Sequence, residues 1–145
     1  MESYFANVPG LKMIAPARAY DAKGLLRAAI RDPDPVLFFE HKFLYRRIKE
    51  QLPVDEEIFV PLGKARTHRE GTDLTIVTYG AMVYKSTEAA DRISGEDGAE
   101  VEVIDLRTLR PLDTGAIVES VKKTGRLLVV HEAPRFGGFA GEITA

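Results

Sequence analysis

The chain has 145 residues and a formal net charge of −2, long enough for one ordinary domain or for one domain and part of a second, and without the positive charge that draws proteins to nucleic acid. With 45% hydrophobic and 29% charged residues the composition is that of a globular protein, and no apolar run approaches the roughly 20 residues of a membrane-spanning helix, so neither nucleic acid nor membrane is an expected partner. There is no cysteine, which excludes disulfides, thiolate ligands and a thiol nucleophile, and the opening MESYFANVPG lacks the basic start and apolar core of a secretory signal, so a cytoplasmic location is expected.

Taken in order, LKMIA (11–15), bounded by Pro9-Gly10 and Pro16, predicts a short buried strand. In YDAKGLLRAAIRD the residues Ala22, Leu25, Leu26, Ala29 and Ile30 recur at helical spacing, with Asp21 near the amino end. The steps Asp32-Pro33 and Asp34-Pro35 then force the chain out of the helix, because a residue before proline is driven to extended geometry. VLFFE follows as a strand whose unalternating apolar run suits burial on both faces, as in a parallel sheet.

From Lys42 to Gly71 the character is mixed, with Pro53 and Pro61 and alternating basic and acidic runs, and a boundary is expected here, dividing the chain into 1–46, a connection over 47–70, and 71–145. An extended piece over 64–69 is expected to pair with the next strand across the turn EGTD. LTIVTYG predicts that strand, Met82, Ser86, Ala89 and Ile93 one side of a helix, and VEVIDL (101–106) another strand. Pro111 and Asp113 open a helix striped by Ile117, Val118 and Val121, with Lys122 and Lys123 in its last turn and Gly125 as its stop. RLLVVH is the last strand, and Phe139, Ala140 and Ile143 begin a helix of which only about two turns fit before Ala145. The sequence reads as a piece of a longer chain.

The familiar catalytic motifs are missing: no GxSxG, no Walker loop, and His41, His68 and His131 too far apart for a helical metal pair. FGGFAGE resembles half of a dinucleotide fingerprint but lacks its spacing; the glycines read first as close packing of helix on sheet and second as a phosphate site at a helix amino end. His131 and Glu132 stand where a parallel strand ends, the edge at which open α/β sheets place ligands; with Gly137 they form a candidate interface or active-site edge, and His131 also reads as a histidine satisfying local backbone. Asp32 and Asp34 have two readings, as turn residues bonded to backbone amides, or as part of an all-oxygen pocket for a hard cation together with the last carbonyls of the helix. Lys42, Arg46, Arg47 and Lys49 around Tyr45 read as a solvated face or as a contact surface for an acidic partner.

The order of PGLKMIAPARAYDAKGLLRAAIRDPDPVLFFEHKFLYRR, LGKARTHREGTDLTIVTYG, VEVIDLRTLRPLD and KTGRLLVVHEAPRFGGFAGEI resembles the β subunit of the thiamine-diphosphate-dependent component of 2-oxoacid dehydrogenase complexes, over practically the whole chain. The resemblance implies an α/β fold of mainly parallel sheets with flanking helices, in which the end of a transketolase-like pyrimidine-binding domain is followed by most of a transketolase carboxyl-terminal domain. It also implies a heterotetramer with an α subunit, delivery of the acyl group to a dihydrolipoyl acyltransferase, and thiamine diphosphate and magnesium held mostly by other segments and by the α subunit. The activating glutamate and active-site histidine of the family fall upstream of Glu2, so no catalytic or cofactor-binding residue is assigned. Family members with structural potassium use the helix end matching AAIRDPD, which implies carbonyls of Ala29 and Ile30 with Asp32 and Asp34 as ligands, although Asn is frequent at the position of Asp34.

HKFLYRR and HEAPRFGGFAGEI resemble branched-chain members more than pyruvate members. Activity of this chain alone is not expected. The competing expectation is a free-standing α/β binding module without catalysis. Self-association is expected through Leu11, Met13 and residues 36–39, apolar positions without neighbouring strands.

Overall fold

The computed structural model describes residues 2–55 and 57–145. Along the chain it contains α1 (Ser3–Ala6), β1 (Lys12–Ile14), α2 (Ala19–Arg31), β2 (Val36–Phe38), β3 (Arg66–Arg69), β4 (Leu74–Thr78), α3 (Met82–Asp97), β5 (Val101–Asp105), β6 (Thr108–Arg110), α4 (Thr114–Thr124), β7 (Leu127–Val129) and α5 (Ala140–Thr144). One sheet has the order β2-β1-β6 and the other β3-β5-β4-β7. β1 runs parallel to β2, and β4 runs parallel to both β5 and β7, while β6 and β3 are the antiparallel members. The α/β class with mainly parallel pairing is the one expected.

Two pairings differ from expectation. β3 lies beside β5, with Thr67 opposite Ile104, and not beside β4. The residues between them form a crossing, not a hairpin turn: the amides of Thr72 and Asp73 both donate to the Glu100 carbonyl, at 2.9 and 2.8 Å. Gly71 passes so close to the backbone of Val101 and Glu102 that no side chain fits there. The second difference is β6, a strand that the sequence did not suggest. Arg107, at φ 55°, turns the chain sharply after β5, and the next three residues lie antiparallel along β1. The edge of β1 expected to be bare is thereby covered, and Met13 is fully buried. β2, half-buried throughout, is the outer strand on the other side.

The helices form where the spacing placed them but are rotated about their axes. α2 buries Asp21, Gly24, Leu25 and Ala28, leaving Leu26 48% and Ile30 76% exposed. It seats on its small face because a Cβ at Gly24 would come within 2.5 Å of Val60 Cγ2. α3 buries Val83, Ser86 and Ala90, and Ala89 faces out. α4 starts at Asp113, whose carboxylate accepts the Ala116 amide at 3.3 Å, and stops at Gly125, φ 69°. It buries Ile117, Ser120 and Thr124, so Val118 is outside the stripe, and Thr75 on β4 bonds the Ser120 and Thr124 hydroxyls at 2.6 and 2.7 Å. α5 does turn Phe139 and Ile143 inward. One apolar cluster, including Met13, Val77, Ile104, Leu109, Ile117 and Phe139, draws on both sheets and on α4 and the start of α5. Each such side chain contributes about 1.5–3 kcal/mol relative to exposure.

Candidate functional site

The acid turn at the carboxyl end of α2 is built by local constraint. Asp32 is extended (φ −76°, ψ 135°), and its amide donates to the Ala29 carbonyl at 3.3 Å as the helix ends. The Asp32 carboxylate accepts the Asp34 amide at 2.9 Å, closing an Asx turn. Both Asp32 oxygens also accept from the Lys12 ammonium at 2.7 Å, and Asp34 Oδ2 lies 3.0 Å from the same nitrogen. Lys12 is brought there by β1, whose Lys12 amide donates to the Pro35 carbonyl at 3.0 Å, aligning the strand with the turn. Hydrogen bonding to Asp32 and then Asp34 raises the Lys12 pKa, and the bond from Lys12 followed by the Asp34 amide lowers that of Asp32.

This geometry bears on the cation reading. The two carboxylates share one ammonium group, which offsets one of their two negative charges and occupies the oxygens a divalent ion would need. The Ala29 carbonyl accepts one amide and, like that of Ile30, retains lone pairs of the kind a weakly charged cation takes. Among the described residues no group of three or more His, Cys, Asp or Glu side chains is arranged to hold a metal.

At the end of β7 the three residues His131, Glu132 and Gly137 do separate things. The His131 ring stacks on Tyr79 (centroids 6.5 Å apart, 8° between planes). Gly138 backs the same ring so closely that a Cβ there would come within 2.6 Å of His131 Cε1 and of the Pro134 carbonyl. Gly138 thus serves packing, whereas a Cβ at Gly137 would meet nothing. Burial, with smaller contributions from Glu2 and Glu132, pushes the Tyr79 hydroxyl pKa well up. Glu132 turns away from this stack and pairs with His41 Nε2 at 2.9 Å, joining the segment after β2 to the segment after β7. Gly137, at φ 73°, lines an open cavity of about 650 Å³ with Asn7, Leu109, Arg110 and Glu142. The basic segment is a surface: Arg47 lies over the Phe43 ring at 4.1 Å, and the exposed Tyr45 donates to Glu40 at 2.8 Å.

A polar cluster that the sequence did not reveal lies where α2 meets the four-stranded sheet. Arg107 Nη1 donates to Asp21 Oδ1 at 2.8 Å, and its other nitrogens donate to the Lys64 and Ala65 carbonyls at 2.9–3.2 Å. The Arg107 amide donates to Asp105 Oδ1 at 3.1 Å. Arg66, opposite Asp105 in the β3–β5 ladder, lies 3.8 Å from Asp21 Oδ2. The available signal was an aspartate ending the apolar run VEVID, followed two residues later by an arginine: a charge where the pattern calls for an apolar residue.

A chain whose carboxyl-terminal sheet carries a helix on each face, preceded by a strand–helix–strand unit, defines a class, and comparison with known proteins agrees with it. Residues 63–145 match the family described as transketolase, C-terminal domain, and residues 1–47 match the transketolase pyrimidine binding domain. The chain belongs to the transketolase C-terminal domain family. It is 50% identical to 2-oxoisovalerate dehydrogenase subunit beta of Bacillus subtilis and 52% identical to pyruvate dehydrogenase E1 component subunit beta of the same organism, covering 100% of this chain and 44% of each relative. It is also 50% identical to the mitochondrial 2-oxoisovalerate dehydrogenase subunit beta of Dictyostelium discoideum, over 99% of this chain and 39% of that one. The chain therefore spans less than half the length of these relatives. A solved structure described as a split gene transketolase, inactive beta4 tetramer, superimposes with a TM-score of 0.81 at 25% identity, over 98% of this chain and 45% of that one.

Proposed function

We propose that the chain is the carboxyl-terminal part of the β subunit of a 2-oxoacid dehydrogenase component, which decarboxylates a 2-oxoacid oxidatively and passes the acyl group to lipoyl. The observation that carries this reading is the half identity, unbroken along all 145 residues, to β subunits of this kind. Branched-chain 2-oxoacids are the preferred substrates and pyruvate the next, a choice that rests on HKFLYRR and HEAPRFGGFAGEI, since the overall identities to the two kinds of relative are nearly equal.

In this reading residues 1–46 close the pyrimidine-binding domain, 47–70 connect, and 71–145 form most of the carboxyl-terminal domain. The His41–Glu132 pair, the pairing of β1 with β6 and the shared core join the two units. Thiamine diphosphate and magnesium belong to the complete α/β enzyme, in segments outside this chain. No chemical step is assigned to the described residues. Potassium takes the Ala29 and Ile30 carbonyls beside Asp32 and Asp34, with Lys12 offsetting one of the two acid charges and the remaining ligands from the longer subunit. The partners are the α subunit and a dihydrolipoyl acyltransferase, the location is cytoplasmic, and no helix among the described residues is long and apolar enough to cross a membrane.

The test is to express the longer β subunit containing this segment with its α subunit and assay both acids with a lipoyl acceptor. Turnover with 2-oxoisovalerate exceeding that with pyruvate is expected. Turnover of pyruvate alone would reverse the substrate assignment, and inactivity on every 2-oxoacid would remove the proposal.

A further inference from the structure

The seam between α2 and the four-stranded sheet holds two carboxylates that are both out of water, Asp21 at 1% and Asp105 at 0% exposure. They are served unequally. Asp21 has the Arg107 guanidinium on Oδ1 at 2.8 Å and the Arg66 charge 3.8 Å from Oδ2, which like Arg66 Nη1 makes no hydrogen bond, whereas among the described residues Asp105 receives only the Arg107 amide, has no cation against it, and its Oδ2 has no protein hydrogen-bond partner. Thr78, which is the register partner of Asp105 on β4, and Ser86, on the buried side of α3, also have hydroxyls without a protein partner. Buried polar atoms are seldom left so, and a carboxylic acid that gives up its proton here adds a second negative charge beside Asp21.

We propose that Asp105 is a proton-binding site built into this seam: protonated, it leaves Arg66 and Arg107 to Asp21 and keeps α2 seated; ionised, it competes with Asp21 for Arg66 and loosens the helix. The groups facing it come from every packed element. α2 contributes Asp21, and the residue just before the helix, Arg18, is paired with Glu50, whose carboxylate also accepts the Tyr20 amide at 2.9 Å. β3 contributes Arg66 and His68, α3 contributes Tyr84, which donates to the Ala17 carbonyl at 3.1 Å, and the turn after β5 contributes Arg107. Burial holds His68 below its ordinary pKa, with the Arg66 and Arg18 charges acting in the same direction. Burial, reinforced by the Asp21 charge, pushes Asp105 up to about 7, against the opposing pull of the Arg107 amide and the arginine charges.

The sign follows from linkage. A raised acid binds its proton more tightly when folded, so the seam is firmest below the ordinary value of 3.8 and weakens as pH rises towards about 7, above which it changes no further. The consequence falls on α2, which carries the acid turn at its far end. The inference rests on the cluster alone and not on the enzymatic reading.

The test is carboxyl-carbon NMR of the intact 145-residue chain, with hydrogen exchange of α2 amides, corrected for intrinsic rate, at pH 5.5 and 8.5. Asp105 is expected to titrate near neutrality, and α2 protection to fall on the order of tenfold across that interval. Asp105→Asn is expected to flatten the dependence. An Asp105 that titrates in the ordinary carboxylate range, α2 protection that does not change with pH, or an Asp105→Asn chain with the wild-type dependence would each overturn the proposal. The first two readouts need no variant, so they decide the matter even if Asp105→Asn fails to fold.

Discussion

Lys12 shows how one residue sets the chemistry of the acid turn. Its ammonium is the shared partner of Asp32 and Asp34, so Lys12→Met is expected to leave two like charges facing each other. The wild-type advantage over this variant has a defined pH window. Asp32 is lowered from its ordinary 3.8, so its contribution is present above that value and lost as pH falls through the lowered one. Lys12 is raised from 10.5, so its contribution is present below that value and lost as pH rises beyond it. Denaturant midpoints of the two chains should therefore differ at pH 7 and converge at both extremes; a constant offset would contradict the account. At the strand end, Gly138→Ala places a methyl against His131 and the Pro134 carbonyl, and a loss of about 1–3 kcal/mol is expected in urea unfolding. Wild-type stability in that variant would mean that the segment after β7 packs less tightly than described.

Among the elements, the β3–β5 crossing depends most on a single position. Gly71 lies against the backbone of Val101 and Glu102, which no rotamer change relieves, so Gly71→Ala is expected to cost about 3 kcal/mol or more. A near-neutral result in the same urea experiment would show that β3 is only loosely attached. The acid turn was legible in the sequence because two X-Pro steps act on their own neighbours, and Gly125 was legible as a helix stop for the same local reason. The helices were legible as helices, since their spacing is local too. Their rotation was not: α2 buries Asp21 because Arg107, 86 residues away, meets it, and α4 buries Ser120 and Thr124 because Thr75 meets them. An apolar count assigns such positions to the surface. β6 was missed because three residues carry too little pattern, and it exists only through its pairing with β1.

Over the whole molecule, Arg107 is the residue on which the two sheets converge. It stands between β5 and β6 and bonds α2 and the segment before β3. Arg107→Ala leaves Asp21 buried without its closest partner, and a loss of about 3–5 kcal/mol is expected. Arg107→Gly relaxes the φ of 55° and still loses the guanidinium, so if the ion pair is what matters, both variants should be strongly destabilised. A stable glycine variant would place the importance in the backbone turn instead. The candidate site was less legible than the fold: the motif order identified the family, whereas the Asp21, Arg107 and Asp105 cluster joins residues far apart along the chain. We propose that these 145 residues are the scaffolding portion of a β subunit and not a cofactor-binding unit in themselves. Titration calorimetry of this chain with thiamine diphosphate and magnesium tests it most directly. The account predicts no saturable heat, whereas stoichiometric binding would contradict it and direct attention to the cavity lined by Gly137 and Arg110.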